Sequence, residues 1–203
     1  MTELTDFLIS IPSPEHISFS KEIENLLKEA AAEKSRGLNI KNSDYIEKKI
    51  LSGDAIIATK DGELAGFCYL RRRKNTDYVS VSGIVIMPKY RKIGLSKLII
   101  NEAFELARTK YPEAKIFCLT TSPTFMRVSS ELGYKPISYS KLSTSQEFWN
   151  ACSDCLNYST LKSNNNSRCL CSAMLFDPYS FNIEDEYELN ELAVNKAVKR
   201  NNS

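Results

Sequence analysis

Apolar residues near the start of the chain recur at helical spacing. Ile23, Leu26, Leu27 and Ala30 fall at i, i+3, i+4 and i+7, one stripe on a helix opened by Ser13-Pro14 and stopped near Gly37. A shorter helix is predicted over Asp44 to Leu51, with Ser43 as its cap and Gly53 past its end. Residues 1–13, with Pro12 inside and Pro14 just beyond, read as a loosely fixed lead-in.

The pattern then changes to strands. Ala55 to Thr59 and Leu64 to Leu70 flank Asp61-Gly62, which reads as a hairpin. Tyr78 to Ile86 forms a long central strand whose second half is apolar at successive positions, as a strand buried on both faces requires. A helix from Leu95 to Arg108 presents Leu95, Leu98, Ile99, Ala103 and Leu106, and Ile116 to Thr120 is the next buried strand. Thr124 to Leu132 reads as a short helix closed by Gly133, and Tyr134 to Leu142 as a returning strand. The order gives an α/β fold, a mixed sheet with one parallel β-α-β step. Residues 1–142 are expected to form the main domain. Residues 143–203 read as a cysteine-rich C-terminal extension with an acidic tail.

Length and charge narrow the functional classes. At 203 residues the chain holds one substantial core, and two full domains would be cramped. Its net charge of +2 gives no field that gathers nucleic acid or an anionic membrane. The opening Met1 to Asp6 has no basic flank before a long apolar run, so a cytoplasmic location is expected.

Arg91-Lys92-Ile93-Gly94-Leu95-Ser96 lies where the central strand ends and a helix begins. A helix start leaves backbone N–H groups without intrahelical partners and concentrates positive dipole charge, so it suits an anion. Gly94 removes the Cβ from that approach, and Arg91, Lys92 and Lys97 add charge. The alternative is a turn in which Gly94 only relieves crowding. A dinucleotide site would need Gly-x-Gly-x-x-Gly and a Walker loop would need Gly-Lys-Ser/Thr, and neither is present.

This string resembles the acyl-CoA signature of the GNAT N-acyltransferases, Arg/Gln-x-x-Gly-x-Gly/Ala, with Ser96 at the last position. The resemblance runs back through Ile84-Val85-Ile86-Met87-Pro88-Lys89-Tyr90 and forward to Ser130-Glu131-Leu132-Gly133-Tyr134. It implies a GNAT-like fold in which Ile84, Val85, Ile86, Arg91, Lys92, Ile93, Gly94, Leu95 and Ser96 bind the acyl-CoA. It also implies two strands that splay near Ile84 to Ile86 and Leu119 to Thr121, with Ser80, Ser82 and Gly83 leaving room for an acceptor. The family's Asn and Tyr positions hold Ser122 and Ser129 here, which puts Ser129 at the usual general-acid place.

Three further segments, Asp44 to Tyr69, Ala114 to Thr121 and Phe148 to Pro178, are similar to bacterial GNAT proteins proposed as N-acylglutamate synthases of arginine biosynthesis. That likeness implies glutamate as acceptor and acetyl-CoA or succinyl-CoA as donor. Arg36 is then the favoured carboxylate partner, with Arg71 to Arg73 and Arg127 as others. Other readings are acylation of a protein N-terminus or an aminoglycoside, or a noncatalytic acyl-CoA sensor.

The six cysteines divide unequally. Cys68 and Cys118 sit in apolar strands as small hydrophobes. Cys152, Cys155, Cys169 and Cys171 form two close pairs across a polar loop, and can supply four thiolates to a structural zinc or simply pack together.

Overall fold

The two longest strands set the architecture, and their partners follow from them. The computed structural model describes residues 3–33, 37–73 and 76–180. Seven strands form one sheet: Leu8–Ser10 (β1), Ala55–Lys60 (β2), Glu63–Arg72 (β3), Tyr78–Ile86 (β4), Lys115–Thr120 (β5), Lys135–Pro136 (β6) and Ser172–Phe176 (β7). Their order is β1-β2-β3-β4-β5-β7-β6, and β4 and β5 make the parallel pair. Asp61 and Gly62 take left-handed φ of 53° and 80° in the β2–β3 turn, as the Asp-Gly signal predicts.

Helices cover both faces. Ser20–Ala32 (α1) and Ser43–Leu51 (α2) lie on one, where Ile23, Leu27, Ile46 and Ile50 pack against Ile57, Phe67 and Tyr69. Leu95–Lys110 (α3) and Pro123–Glu131 (α4) lie on the other, where Ile99, Ala103 and Val128 meet Ile56, Cys68 and Val79. Phe67 and Tyr69 serve one layer while Cys68 and Leu70 serve the other, the period of two that a doubly covered strand needs. Three short helices follow, Tyr139–Leu142 (α5), Gln146–Asn150 (α6) and Tyr158–Ser163 (α7).

Several elements differ from the sequence reading. Residues 8–10 are an edge strand on β2, because backbone pairing there needs no apolar pattern. The first helix opens with a 3₁₀ segment, Pro14–Phe19, before α1. α2 is capped by Asn42, whose Oδ1 accepts from the N–H of Tyr45 at 3.1 Å, and Ser43 is its first residue. The strand expected over Tyr134 to Leu142 shrinks to β6, since Pro136 has no N–H for a ladder and Ser138 leads into α5.

The extension joins the sheet and does not stand apart from it. β7 lies between β5 and β6, pairing Leu119 with Ala173 and Lys135 with Leu175. Around it Phe117, Tyr139, Phe148, Trp149 and Leu161 form a third core. Trp149 stacks on Tyr139 with centroids 4.9 Å apart and donates from Nε1 to the Ser143 carbonyl at 2.9 Å. The expected acidic tail lies outside the described residues. No helix among the described residues is long and apolar enough to cross a membrane.

Candidate active site

β4 and β5 pair only at Tyr78 with Lys115, Val79 with Ile116 and Ser80 with Phe117. Beyond Ser80 the strands part, so the β5-facing backbone of residues 81–86 has no strand partner. Opposite β3 the register jumps, with Phe67 facing Val85 and Tyr69 facing Ser82, which leaves Gly83 and Ile84 together opposite Cys68. This is a β-bulge. Gly83 makes it possible, with φ 64° and the Tyr69 ring where a Cβ would stand. The opening starts earlier than the sequence predicts, at Val81 and Cys118.

A cavity of about 930 Å³ fills the gap between the strands. At one end it is lined by Tyr90, Arg91, Lys92, Gly94, Leu95 and Ser96, at its middle by Ser80 to Ile86 and Leu119 to Thr121. α3 begins at this end with Gly94 at φ 98° as its N-cap and no side chain capping it. Arg91 is fixed rather than mobile: Nε donates to the Ile86 carbonyl at 3.2 Å, and Nη1 meets Glu33 Oε1 at 2.7 Å. Lys97 pairs with Glu131 on α4 at 2.7 Å. Among the residues predicted for acyl-CoA, Ile93 is the exception, being packed against the core and absent from the lining.

The acetyltransferase (GNAT) family model matches residues 22–126. The chain belongs to this family. Its members are acetyl-CoA-dependent N-acyltransferases.

Solved GNAT-like folds agree. N-acetylglutamate synthase from Neisseria gonorrhoeae, complexed with coenzyme A and N-acetyl-glutamate, aligns with a TM-score of 0.58 at 17% identity over 83% of this chain and 34% of that one. The chain thus spans about a third of that enzyme's length. A Mycobacterium tuberculosis protein in complex with CoA aligns with a TM-score of 0.58 at 15% identity over 84% of this chain and 98% of that one. YncA from Salmonella typhimurium, with its cofactor acetyl-CoA, gives a TM-score of 0.58 at 11% identity over 87% and 96% of the two chains. No curated protein sequence matches the chain.

Within this GNAT frame Ser129 is misplaced for a general acid. It is buried at 1% exposure on the sheet-facing side of α4, 3.9 Å from Cys118 Sγ, and does not line the cavity. Neighbours on α4, Thr124, Phe125 and Arg127, do line it. The helical turn that seals Phe125 and Val128 against the sheet carries Ser129 inward with them.

One wall of the far end of the cavity is built by residues beyond the family match. Ala151, Cys152, Cys155, Asn157, Cys169 and Cys171 of the extension face Gly37, Asn39, Arg71 and Arg73 across it. Asn39 forms a β-bridge with Cys155, and Lys41 pairs with Asp154, so the segment before α2 is clasped to the extension. Arg36 lies outside the described residues, and Arg72 turns away to stack on Tyr111. Arg71, Arg73 and Arg127 reach the cavity.

The four extension cysteines do not make the expected zinc centre. Among the described residues no group of three or more His, Cys, Asp or Glu side chains is gathered to hold a metal ion. Cys155 bridges to Asn39 through its backbone, while Cys169 Sγ meets the Asn157 carbonyl at 3.7 Å and hydrogen-bonds to Cys171. That last bond, with backbone N–H groups of Cys171 and Leu170, lowers the Cys169 pKa and raises that of Cys171. Burial pushes Cys152 up to about 11. Nothing in the sequence marked Asn39 or Asn157, since isolated amides carry no periodic signal.

Proposed function

We propose that this chain transfers an acetyl group from acetyl-CoA to the primary amine of a small acceptor, with glutamate the first acceptor to test. The observation that carries the reading is the single cavity joining an anion-suited helix start, a cleft of unpaired strand backbone and a cationic far end. Gly94 suits the cofactor because its left-handed backbone leaves open the space a Cβ would occupy. Acetyl-CoA supplies an activated thioester when bound.

The chain's own part is positioning and electrostatics. Unpaired N–H groups of residues 81–86 are placed to donate to a carbonyl in the cleft and to stabilise negative charge developing on its oxygen. No histidine lines the cavity. A thiol has a pKa of about 8.5, so a thiolate leaves tolerably near neutral pH without a dedicated acid. Six free cysteines support a reducing, cytoplasmic setting. A glutamate acceptor would place the reaction in arginine biosynthesis.

The test is incubation with a mixture of amino acids and either acetyl-CoA or succinyl-CoA, with acylated products identified by mass spectrometry. N-acetylglutamate is expected. Measurable CoA binding with no acylated amine would instead favour a sensor.

A further inference from the structure

Three polar groups in the wall of the cavity have no hydrogen-bond partner among the described residues. They are Nε and Nη1 of Arg73, Oδ1 of Asn39 and Nδ2 of Asn157, each closed off from solvent. All three residues line the cavity's far end. Buried polar groups in folded proteins are nearly always satisfied, and leaving a charged one unsatisfied is the more costly case. Three in one wall, from three separate stretches of chain, describe the outline of a ligand.

Each group is held where it is by its neighbours. The Arg73 guanidinium lies over Phe117 and Phe148, 5.4 and 5.0 Å from their centroids, so its position does not depend on a counterion. Asn39 Nδ2 donates to the Ala151 carbonyl at 2.8 Å, which fixes the side chain. Asn157 is 9% exposed, in the turn before α7. Arg71 donates to the same Ala151 carbonyl at 3.3 Å and adds a second positive charge. Burial, and then Arg71, brings the Arg73 pKa down to about 10, which leaves it charged at neutral pH with no ion-pair partner among the described residues.

The chemistry required of the missing partner follows. Two nitrogens of a guanidinium and one amide NH₂ ask for an anionic acceptor group, planar and bidentate. The amide oxygen of Asn39 asks for a donor close to it. A carboxylate with a neighbouring N–H or O–H satisfies both, and inorganic anions satisfy only the first.

We propose that Arg73, Asn157 and Asn39 form the subsite that reads the carboxylate of an amino-acid acceptor, and that the extension is therefore part of the catalytic unit. This rests on the acetyltransferase reading above and names its acceptor class, small amino acids with a free carboxylate. Arg71, beside Arg73, suits a second carboxylate and so a dicarboxylic acceptor.

Binding and turnover separate this subsite from the reading it rests on. Thermal shift of the full chain with CoA, titrated with glutamate and with the carboxylate-free analogue propylamine, is the first measurement. Glutamate should raise Tm and the analogue should not. Asn157→Asp, nearly isosteric but anionic, should weaken glutamate binding at least tenfold while CoA affinity stays within twofold. Arg73→Lys, which keeps the charge and loses the fork, should raise the KM for glutamate ten- to a hundredfold with little change in the KM for acetyl-CoA. If wild type binds and acetylates amines with and without a carboxylate equally, the subsite is wrong and the acetyltransferase reading stands. If glutamate binds through Arg73 and Asn157 but no amine is acetylated, the subsite stands and the acetyltransferase reading fails. If Asn157→Asp and Arg73→Lys bind glutamate as wild type does, these residues do not read it.

Discussion

Gly83 lies against the ring of Tyr69 so closely that a Cβ on it would stand 2.7 Å from Cδ1 and overlap Cε1. The contact locks the β3–β4 bulge beside the gap between β4 and β5, because Gly83 also needs its left-handed φ of 64°. Gly83→Ala should cost about 1–3 kcal/mol of stability, the usual range for a strained backbone position. It should also lower kcat at least tenfold. Urea unfolding and steady-state kinetics check both, and a variant with wild-type values would mean that the bulge tolerates a side chain.

Gly94 tests the other end of the cavity. A Cβ there would meet only Leu4 Cδ1, at an ordinary 3.5 Å, so Gly94→Val leaves packing intact and strains only the φ of 98°. The cost to the fold is about 1–2 kcal/mol, the penalty of the left-handed region. Acetyl-CoA affinity should fall tenfold or more by calorimetry. Unchanged affinity would show that this helix start does not hold acetyl-CoA.

The cysteines should differ sharply in reactivity. Burial pushes Cys68 and Cys118 up to about 12, so both stay protonated and inert in the folded chain. Cys169, favoured as thiolate by its bond from Cys171, should be alkylated first by iodoacetamide at pH 7. Peptide mapping at partial labelling gives the order. Faster labelling at Cys152 or Cys171 would contradict the hydrogen-bonded pair.

Glu24 gives a pH dependence of definite sign. Lys28 at 2.5 Å, Lys21 at 3.1 Å and the Ser43 N–H at 3.0 Å hold its carboxylate down to about 2, from an ordinary 4.5. A pKa depressed in the folded state stabilises the fold above 4.5, and that contribution drains away as pH falls from 4.5 towards 2. Tm of wild type should therefore exceed that of Glu24→Gln by a constant margin from pH 6 to 8, and the margin should close below pH 4. A margin that persists at pH 2.5 would assign the difference to packing.

The strand, turn and helix proposed to hold acyl-CoA were legible because their signals are local. Ile84-Val85-Ile86 running into Arg91 to Ser96 places strand, turn and helix within one stretch, and the structure follows it. The acceptor half depends on contacts distant in sequence. Asn39 meets Ala151, and Ile116 meets Phe176, through pairings that no short window contains. Choosing among Arg36, Arg71 to Arg73 and Arg127 requires knowing which guanidinium is buried without a partner, a property of packing. Cysteine spacing was read as a structural zinc site or simple packing, and only the side-chain placement, with no metal-holding group among the described residues, bears on the choice.

The placement of β7 bears on how the chain comes to be folded. During synthesis β5 is complete long before residues 172–176 leave the ribosome, and until they do it is an open edge with Ile116 and Phe117 beside it. Such an edge templates pairing with other chains. A nascent chain stalled between β6 and β7 would hold a finished acyl-CoA cradle beside an unfinished sheet, so aggregation during expression should depend on how quickly the last strand arrives.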